Sequence, residues 1–202
     1  MNVLKSSLAA LLVAGLLAGC AAPSPAPVLL TLPTAALPLA TTTPGTPASA
    51  PLLAVRRVNI PEYLVARRVR YRAEASTLAE WPNTFWAERI EIGVSREFVS
   101  ALRQQLPGWS LCDTNCGDAV PAFSLQVDLM PMDYVRSAGR LEARARIVLS
   151  SVSVPPRELK TLESSYTLPA SGDTAQAHAQ AISELIRQVA QAASPMVNSA
   201  PR

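Results

Sequence analysis

The sequence predicts an α/β protein, a single domain in which a mixed β-sheet packs against helices. Several segments alternate apolar and polar residues, as half-buried strands do, and two longer segments carry apolar residues at helical spacing. The segments follow the order strands, helix, strands, helix, which favours a sheet with helices packed on it. The length of 202 residues suits one domain of ordinary size with an additional tail.

Composition excludes several kinds of site. One His and three Cys are too few for a multi-histidine metal centre or a four-cysteine zinc site. The formal net charge of +3 comes from 18 Lys and Arg against 15 Asp and Glu, and the acidic residues are mixed with the arginines. The chain therefore has no basic block of the kind that binds nucleic acid, and we expect no nucleic-acid partner. We also expect no metal and no cofactor.

The first 19 residues have the features of an export signal. Lys5 precedes an uncharged apolar run, Leu8–Leu17, which is shorter than the roughly 20 residues that a membrane-spanning helix needs. The segment Leu17–Cys20, Leu-Ala-Gly-Cys, resembles the bacterial lipobox, whose cysteine thiol is acylated. We therefore expect residues 1–19 to be a lipoprotein signal peptide and Cys20 to be lipidated. The alternative is a plain secretory signal with an incidental cysteine.

The residue after Cys20 indicates which of the two membranes the lipoprotein is sent to. Ala21 stands where an Asp would be the usual signal for retention in the inner membrane. The resemblance to lipoproteins therefore implies a lipid-anchored chain on the periplasmic face of the outer membrane. Several acyl chains anchor a protein stably, since each buried methylene contributes about 0.8 kcal/mol.

Residues 20–51 are predicted to be the lipidated cysteine followed by a linker rich in Pro, Ala and Thr. The linker has no charged residue, and its composition favours an extended, semi-rigid tether. At roughly 3.1 Å per residue in polyproline geometry, it would hold the domain tens of ångströms from a membrane. Residues 28–32, Val-Leu-Leu-Thr-Leu, fit a first strand of the domain equally well.

Residues 52–193 are predicted to form the folded domain. Alternation predicts six strands. They are Leu53–Ile60, Val69–Arg72, Thr77–Trp81, Phe123–Met130, Leu141–Leu149 and Leu162–Leu168. A helix with one apolar stripe is predicted over Trp86–Leu106. A second is predicted over Thr174–Ala193, with Asp173 as its N-cap. Ser194-Pro195 is expected to end it and to leave residues 194–202 as a flexible C-terminus.

No catalytic constellation emerges from the sequence. It lacks a phosphate loop, a dinucleotide fingerprint and a nucleophile elbow. His178 is either a general base or, more simply, a surface or helix-flank imidazole. Asp128 and Asp133 could form an acid pair, but solvated carboxylates on the polar face of a strand explain them as well. We expect no catalytic residue and no enzymatic activity.

Cys112 and Cys116 frame a turn-like segment. An exported chain meets an oxidising compartment, and three intervening residues of turn type let two Cα atoms approach to disulfide distance. A structural disulfide that closes a small loop is expected. A redox pair is the alternative, although the Cys-x-x-Cys spacing of thioredoxin-like sites is absent.

Six arginines form the densest basic stretch of the chain. They are Arg56, Arg57, Arg67, Arg68, Arg70 and Arg72. Such a cluster can bind anionic headgroups or an acidic partner. Alternation along the predicted strands makes a solvated face the simpler interpretation.

An ordered set of short motifs resembles a known family. The motifs are a strand with Pro-x-Tyr-Leu over 55–64, a basic strand with Tyr over 69–72, Trp86, Gln-Leu-Pro-Gly-Trp over 105–109, and Phe-Ser-Leu-Gln-Val over 123–127. With the lipobox, their order is similar to that of the ABC-type/MCE transport auxiliary lipoproteins, the PqiC/YmbA-like family. The resemblance covers roughly residues 50–193.

The resemblance implies a non-enzymatic docking role. Lipoproteins of this family serve systems that move phospholipid or other apolar cargo between two membranes. Their expected partners are a periplasm-spanning MCE-domain protein and its inner-membrane permease system, and homo-oligomers are expected. Candidate partner-binding residues follow from the matching motifs: Pro61, Tyr63, Leu64, Tyr71 and Trp86. Tyr71 and Trp86 fit core aromatics equally well.

Two other functions stay open at this point. A general envelope-assembly or cell-wall-associated lipoprotein would share the anchor and the tether without the transport partner. A lipid-anchored redox protein or hydrolase would use Cys112 and Cys116, and its turnover would be lost in Cys112→Ser.

Overall fold

The computed structural model describes residues 25–33, 50–113 and 116–200. Eight strands in these ranges form one mixed sheet, and two helices pack against it, so the predicted α/β class is confirmed. The strands are β1 (Val28–Leu30), β2 (Leu52–Val55), β3 (Arg68–Glu74), β4 (Thr77–Trp86), β5 (Ser110–Cys112), β6 (Phe123–Val135), β7 (Arg140–Ser151) and β8 (Glu158–Pro169). The helices are α1 (Ile90–Gln105) and α2 (Ala175–Asn198).

Strand β6 organises the sheet. Along one side it pairs antiparallel with β7, which pairs with β8. Along the other side it has two parallel neighbours, β2 at its start and β3 at its end. The sheet is therefore split beside the middle of β6, with β5 beyond β2 on one side of the split and β4 and β1 beyond β3 on the other.

The chain between β2 and β3 bridges this split. The first predicted strand extends to Ile60, but β2 ends at Val55. Beyond it the backbone N–H groups of Arg56 and Asn59 donate to β6 carbonyls at 2.8 and 3.0 Å. These bonds satisfy the buried backbone without a regular ladder.

Alternation assigns the two faces of the sheet. Val127 in β6 and Ile147 in β7 are paired and almost fully buried, as residues facing the helices. The adjacent pair, Asp128 and Arg146, lies on the opposite face, which is polar. One face thus builds the core, and the other presents charged side chains.

Trp86 ends a strand instead of beginning a helix. The predicted helix starts at Trp86, whereas β4 continues to Trp86 and α1 starts at Ile90. Trp86 falls in phase with the apolar stripe of α1 because it is four residues before Ile90, so the helical spacing alone extended the helix one turn too far. Pairing of Trp86 with Leu30 of β1 fixes it in the sheet.

Residues Val28–Leu30 form an edge strand, which resolves the alternatives for this segment. Strand β1 runs parallel to β4. Leu30 and Leu32 are 7% and 3% exposed and belong to the core. The Ala87 N–H donates to the Leu30 carbonyl at 2.8 Å. The N-terminal segment is therefore part of the fold.

Contacts with the domain begin before β1. In the structure the Asn83 side-chain amide donates to the carbonyls of Pro25 and Ala26 at 2.8 and 3.1 Å. Residues 25–33 are thus attached to the sheet edge, and Leu30 and Leu32 bury their side chains in the core.

Helix α2 continues beyond the residues that were predicted to end it. Ser194-Pro195 was expected to end it, but α2 continues to Asn198 with Pro195 inside the helix. Val197 is fully buried, and the Trp109 indole N–H donates to Asn198 Oδ1 at 3.2 Å. These tertiary contacts compensate for the backbone hydrogen bond that proline removes.

Candidate functional site

The turn over Pro61–Leu64 lies where the sheet is split. Pro61 is buried, and Glu62–Leu64 forms a single 3₁₀ turn. The Leu64 N–H donates to the Pro61 carbonyl at 2.9 Å. Tyr63 and Leu64 are both half-buried, and Leu64 packs against the core. Each side chain therefore has a fixed position and a face that a partner can reach.

Tyr63 is held by Arg72 of β3 and Asp133 of β6. Its hydroxyl donates to Asp133 Oδ1 at 3.0 Å, and Arg72 Nη2 donates to the two carboxylate oxygens at 3.0 and 2.9 Å. The Arg72 guanidinium lies 5.5 Å from the centroid of the Tyr63 ring. The Arg72 and Asp133 side chains are only 20% and 14% exposed, so this charge-assisted cluster is poorly screened and fixes the ring.

The Tyr63 hydroxyl keeps its proton in this setting. Burial raises the pKa of the phenol above its usual value, and the negative charge of Asp133 raises it further. The backbone of the turn is fixed as well, because Arg70 Nη1 donates to the Tyr63 carbonyl at 2.9 Å. Arg70 is itself paired with Glu80, with Nε and Oε1 separated by 3.4 Å.

Tyr71 belongs to a second cluster, on the other face of β3 from Arg72. The Arg136 guanidinium lies 5.0 Å from the Tyr71 ring centroid and 4.3 Å from that of Trp81. Its Nη1 donates to the Tyr71 hydroxyl at 2.9 Å. Its Nε and Nη2 donate to the Asp173 carboxylate at 2.8 and 2.9 Å, and these bonds lower the pKa of Asp173.

Asp173 is therefore not the helix cap that the sequence predicted. The N-cap of α2 is Thr174, whose Oγ1 accepts a hydrogen bond from the Ala177 N–H at 3.1 Å. Both residue types suit the cap, but Asp173 is engaged by Arg136 of the β6–β7 turn. The pair instead ties that turn to the start of the last helix.

A column of aromatic rings leads from Tyr71 into the core. Successive ring centroids are 5.1 Å apart for Tyr71 and Trp81, 6.2 Å for Trp81 and Tyr134, 4.5 Å for Tyr134 and His178, and 6.4 Å for His178 and Trp86. Contacts of this kind are favourable beyond the burial of area. The column supports the surface tyrosine with a rigid core.

His178 is a core residue, so its interpretation as a surface imidazole is wrong. It is 3% exposed and stacks on Tyr134. Burial lowers the pKa of the imidazole to about 3, which keeps it neutral near pH 7. A ring without access to solvent cannot exchange protons with a substrate at the surface, which removes the general-base interpretation.

The candidate partner-binding residues fall into two groups according to the solvent exposure of their side chains. Tyr63, Leu64 and Tyr71 are half-buried and present part of their surface. Pro61 and Trp86 are buried, and Trp86 is only 5% exposed. The alternative that Trp86 is a core aromatic is therefore correct, and only the first three residues can touch a partner.

Sequence reasoning did not identify two members of these clusters, Arg136 and Asp133. Arg136 was not singled out, and Asp133 was considered only as a partner for Asp128. In the structure Asp128 accepts a hydrogen bond from the Asn59 amide at 2.6 Å, and Asp133 binds Arg72 and Tyr63. The alternating arginines of β3 were the available signal, since a half-buried cation predicts a nearby carboxylate.

The six arginines do not form one basic patch. Arg68 and Arg70 each approach Glu80 to 3.4 Å. Arg56 and Arg57 line a separate groove of about 490 Å³ beside α1, together with Arg103. The positive charge of the stretch is thus divided between an ion-paired strand and a groove.

The predicted disulfide is confirmed. Cys112 ends β5 and is bonded to Cys116, with 5.2 Å between the Cα atoms. Strand β5, which was not predicted, pairs with β2 through Ala54 and Cys112. The bridge closes a small loop at the edge of the sheet.

Two negative findings concern the part of the chain that the structure describes. Across residues 25–33, 50–113 and 116–200, no group of three or more His, Cys, Asp or Glu side chains could hold a metal ion. Neither α1 nor α2 is long and apolar enough to cross a membrane.

This fold and its motif positions agree with a family model. The model of the ABC-type transport auxiliary lipoprotein component matches residues 30–194. The chain belongs to this family. The resemblance stated from the motifs is thereby confirmed, and the family is one of transport lipoproteins and not a known enzyme family.

Solved structures support the fold of this family member. One, described as a crystal structure of an uncharacterized protein, has a TM-score of 0.68 at 17% identity and covers 86% of this chain and 99% of its own. A DUF330 protein from Xanthomonas campestris has a TM-score of 0.59 at 17% identity, with 85% and 92% covered. At these identities the likeness shows the fold alone. A comparison with curated proteins gave no match.

Proposed function

We propose that this family member is an outer-membrane-anchored lipoprotein of an MCE/ABC-type intermembrane lipid transport system. It docks the periplasm-spanning MCE-domain protein, which works with an inner-membrane permease system, and so supports membrane integrity. The observation that carries the proposal is the family match over residues 30–194. Residues 1–19 are the signal peptide, Cys20 carries the lipid, and the chain acts as a homo-oligomer.

The docking surface is the exposed part of Tyr63 and Leu64, and Tyr71 offers a second contact on the other face of β3. Tyrosines are enriched at the energetic centres of interfaces because they bury a large area and still hydrogen-bond. Here both rings are held in place before any partner arrives, Tyr63 by Asp133 and Tyr71 by Arg136. A rigid surface loses little side-chain entropy on binding. Pro61 and Trp86 contribute from beneath, by fixing the turn and the sheet.

A photo-crosslinking amino acid at position 63, in the full lipidated chain in cells, tests the proposal. We expect crosslinks to an MCE-domain protein. Tyr166 in β8 is the matched control, since it is also a half-buried tyrosine but lies on the strand that forms the opposite edge of the sheet. The same crosslinker at position 166 should give a much lower yield.

The competing functions give different results in that experiment. Crosslinks from position 63 to cell-wall or barrel-assembly proteins alone would replace the transport role with the general envelope role. Equal yields from positions 63 and 166 would reject the assigned surface. Absence of acylation at Cys20, measured by mass spectrometry of the purified chain, would remove the anchor from the proposal.

A further inference from the structure

We infer that the folded domain rests on the membrane that carries its own anchor, through a patch formed by Leu29, Arg68 and Phe85. We call these three residues the entry patch, because the chain enters the domain there. The ligand is the surface of a bilayer that contains anionic phospholipid. The inference rests on the proposed lipidation of Cys20 and goes beyond the docking role, since it assigns a second surface with a different partner.

The first argument is the reach of the chain. Pro25 is fixed to the domain, because the Asn83 side chain donates to its carbonyl at 2.8 Å. Only five Cα–Cα steps separate Cys20 from Pro25, and a fully extended chain covers at most about 18 Å in that number of steps. The headgroup layer of one leaflet is itself roughly 5–8 Å thick. The sheet edge at Asn83 therefore lies close to the headgroups of the anchoring leaflet.

The second argument is the position of the entry patch on that edge. Strand β1 starts three residues after Pro25 and is the outer strand beside β4. Leu29 is paired with Phe85, and Phe85 is paired with Arg68 of β3. Paired residues point to the same face, so the three side chains form one row across the strands nearest to the anchor.

The third argument is the chemistry of the row. Leu29 is 56% exposed, a high value for an aliphatic residue. The Arg68 guanidinium lies 5.1 Å from the Phe85 ring centroid. Aliphatic and aromatic side chains next to arginines suit the boundary between headgroups and acyl chains.

Charge favours the same ligand. The Glu80 carboxylate is the ion-pair partner of Arg68, and its oxygens lie 3.4 Å from Nε of both Arg68 and Arg70. One negative charge thus faces two arginines. Each basic residue close to an anionic leaflet contributes favourably, and the contribution disappears within a Debye length.

The test measures membrane contact at one position of the patch against a control. The full lipidated chain carrying Leu29→Cys is labelled with an environment-sensitive fluorophore and reconstituted in vesicles of phosphatidylethanolamine and phosphatidylglycerol. With Cys20 acylated and Cys112 bonded to Cys116, the new thiol is the free one. Val154→Cys is the control, because Val154 is an aliphatic residue that is 97% exposed in the β7–β8 loop.

We expect a blue shift at position 29 and loss of its emission when quencher lipids are included, with neither effect at position 154. Arg68→Gln should reduce the quenching at position 29 in phosphatidylglycerol vesicles and leave it unchanged in phosphatidylcholine vesicles. Equal quenching at positions 29 and 154 would overturn the inference. So would a blue shift at position 29 that depends on protein concentration and not on quencher lipid, since the patch would then contact a second copy.

The outcome separates this inference from the proposed function. If Cys20 is acylated and position 63 still crosslinks to an MCE-domain protein while position 29 is not quenched, the docking role stands and the membrane contact is wrong. If quenching at position 29 occurs without any MCE crosslink, the membrane contact stands and the docking role is wrong. If Cys20 carries no lipid, both are rejected.

Discussion

Asp133 illustrates how a residue acquires its role from neighbours that are distant in the sequence. It lies five residues from Asp128 on the same strand, yet the two carboxylates have different partners. A register shift at Met130–Pro131 separates them, and Tyr63 and Arg72 arrive at Asp133 from other elements. Alternation of apolar and polar residues shows on which face of a strand a side chain lies. It does not show how the neighbouring strand is aligned with it.

The buried His178 should make stability depend on pH. The pKa of its imidazole falls from 6.5 to about 3 on folding. Between these two pH values the imidazole is therefore protonated in the unfolded chain and neutral in the folded chain. This contribution to the free energy of unfolding is complete above pH 6.5 and is lost as the pH falls towards 3. From about pH 7 to about pH 5 we expect a loss of about 2 kcal/mol.

The measurement is urea unfolding of the wild type and His178→Phe at both pH values. Phenylalanine keeps a ring against Tyr134 and cannot titrate. Carboxylates contribute equally to the two proteins, so the difference between them isolates His178. The same pH dependence in both would contradict a buried neutral imidazole.

At the scale of elements, β1 and the end of α2 show packing overriding local sequence signals. A proline-rich segment without charge favours an extended chain, and a serine-proline pair favours the end of a helix. In both places apolar side chains are buried: Leu30 in β1 and Leu32 just after it, and Val197 in α2. Tertiary burial of this size routinely outweighs local propensity.

Two substitutions in the N-terminal segment should differ sharply in their effect on stability. Leu32 is 3% exposed and Leu29 is 56% exposed. We expect Leu32→Ala to lower the free energy of unfolding by about 2–3 kcal/mol, since it leaves a cavity. Leu29→Ala should change it by less than about 0.5 kcal/mol. Urea unfolding of the two variants is the measurement, and equal effects would show that the segment is not part of the fold.

At the scale of the whole molecule, the docked strand divides the N-terminal region into two parts with different roles. Residues 21–24 connect the predicted anchor to Pro25, and residues 34–49 connect β1 to the rest of the domain. Only the first part sets the distance between the anchor and the domain. The length that the sequence shows before Leu52 therefore overstates the standoff.

Two insertions of equal length test this division. About ten Gly and Ser residues add a mean reach of about 17 Å. Placed between Ser24 and Pro25, they should reduce the quenching of a fluorophore at position 29 by membrane lipids. Placed within residues 34–49, they should leave it unchanged. An equal response to both insertions would contradict attachment of the chain at Asn83.

Much of the architecture could be predicted because it depends on patterns within single segments of the sequence. The strands β6 and β7 and most of α1 have strict periodicity, since each has one buried face. The pairing of Cys112 with Cys116 was predictable from their turn-like spacing together with the oxidising compartment that an exported chain meets. Trp86 could not be placed, because its spacing fits the helix stripe while its pairing with Leu30 holds it in the sheet.

The candidate site was accessible to sequence reasoning only as a set of motif positions. Tyr63, Leu64 and Tyr71 were named, but nothing local distinguished them from buried Pro61 and Trp86. Accessibility depends on what covers a residue, and the covering elements are far away in the chain.

By itself the sequence determined the α/β class, the family and the disulfide, because periodicity and motif spacing are local properties. The tertiary structure alone decided that β1 forms one edge of the sheet, that Asp133 and Arg136 hold the two tyrosines, and that His178 is buried. These results depend on strand register and on contacts over long sequence separations, such as the 70 residues between Tyr63 and Asp133. Such contacts form only when the sheet brings its strands together, since their free energy comes from burial that no single segment achieves alone.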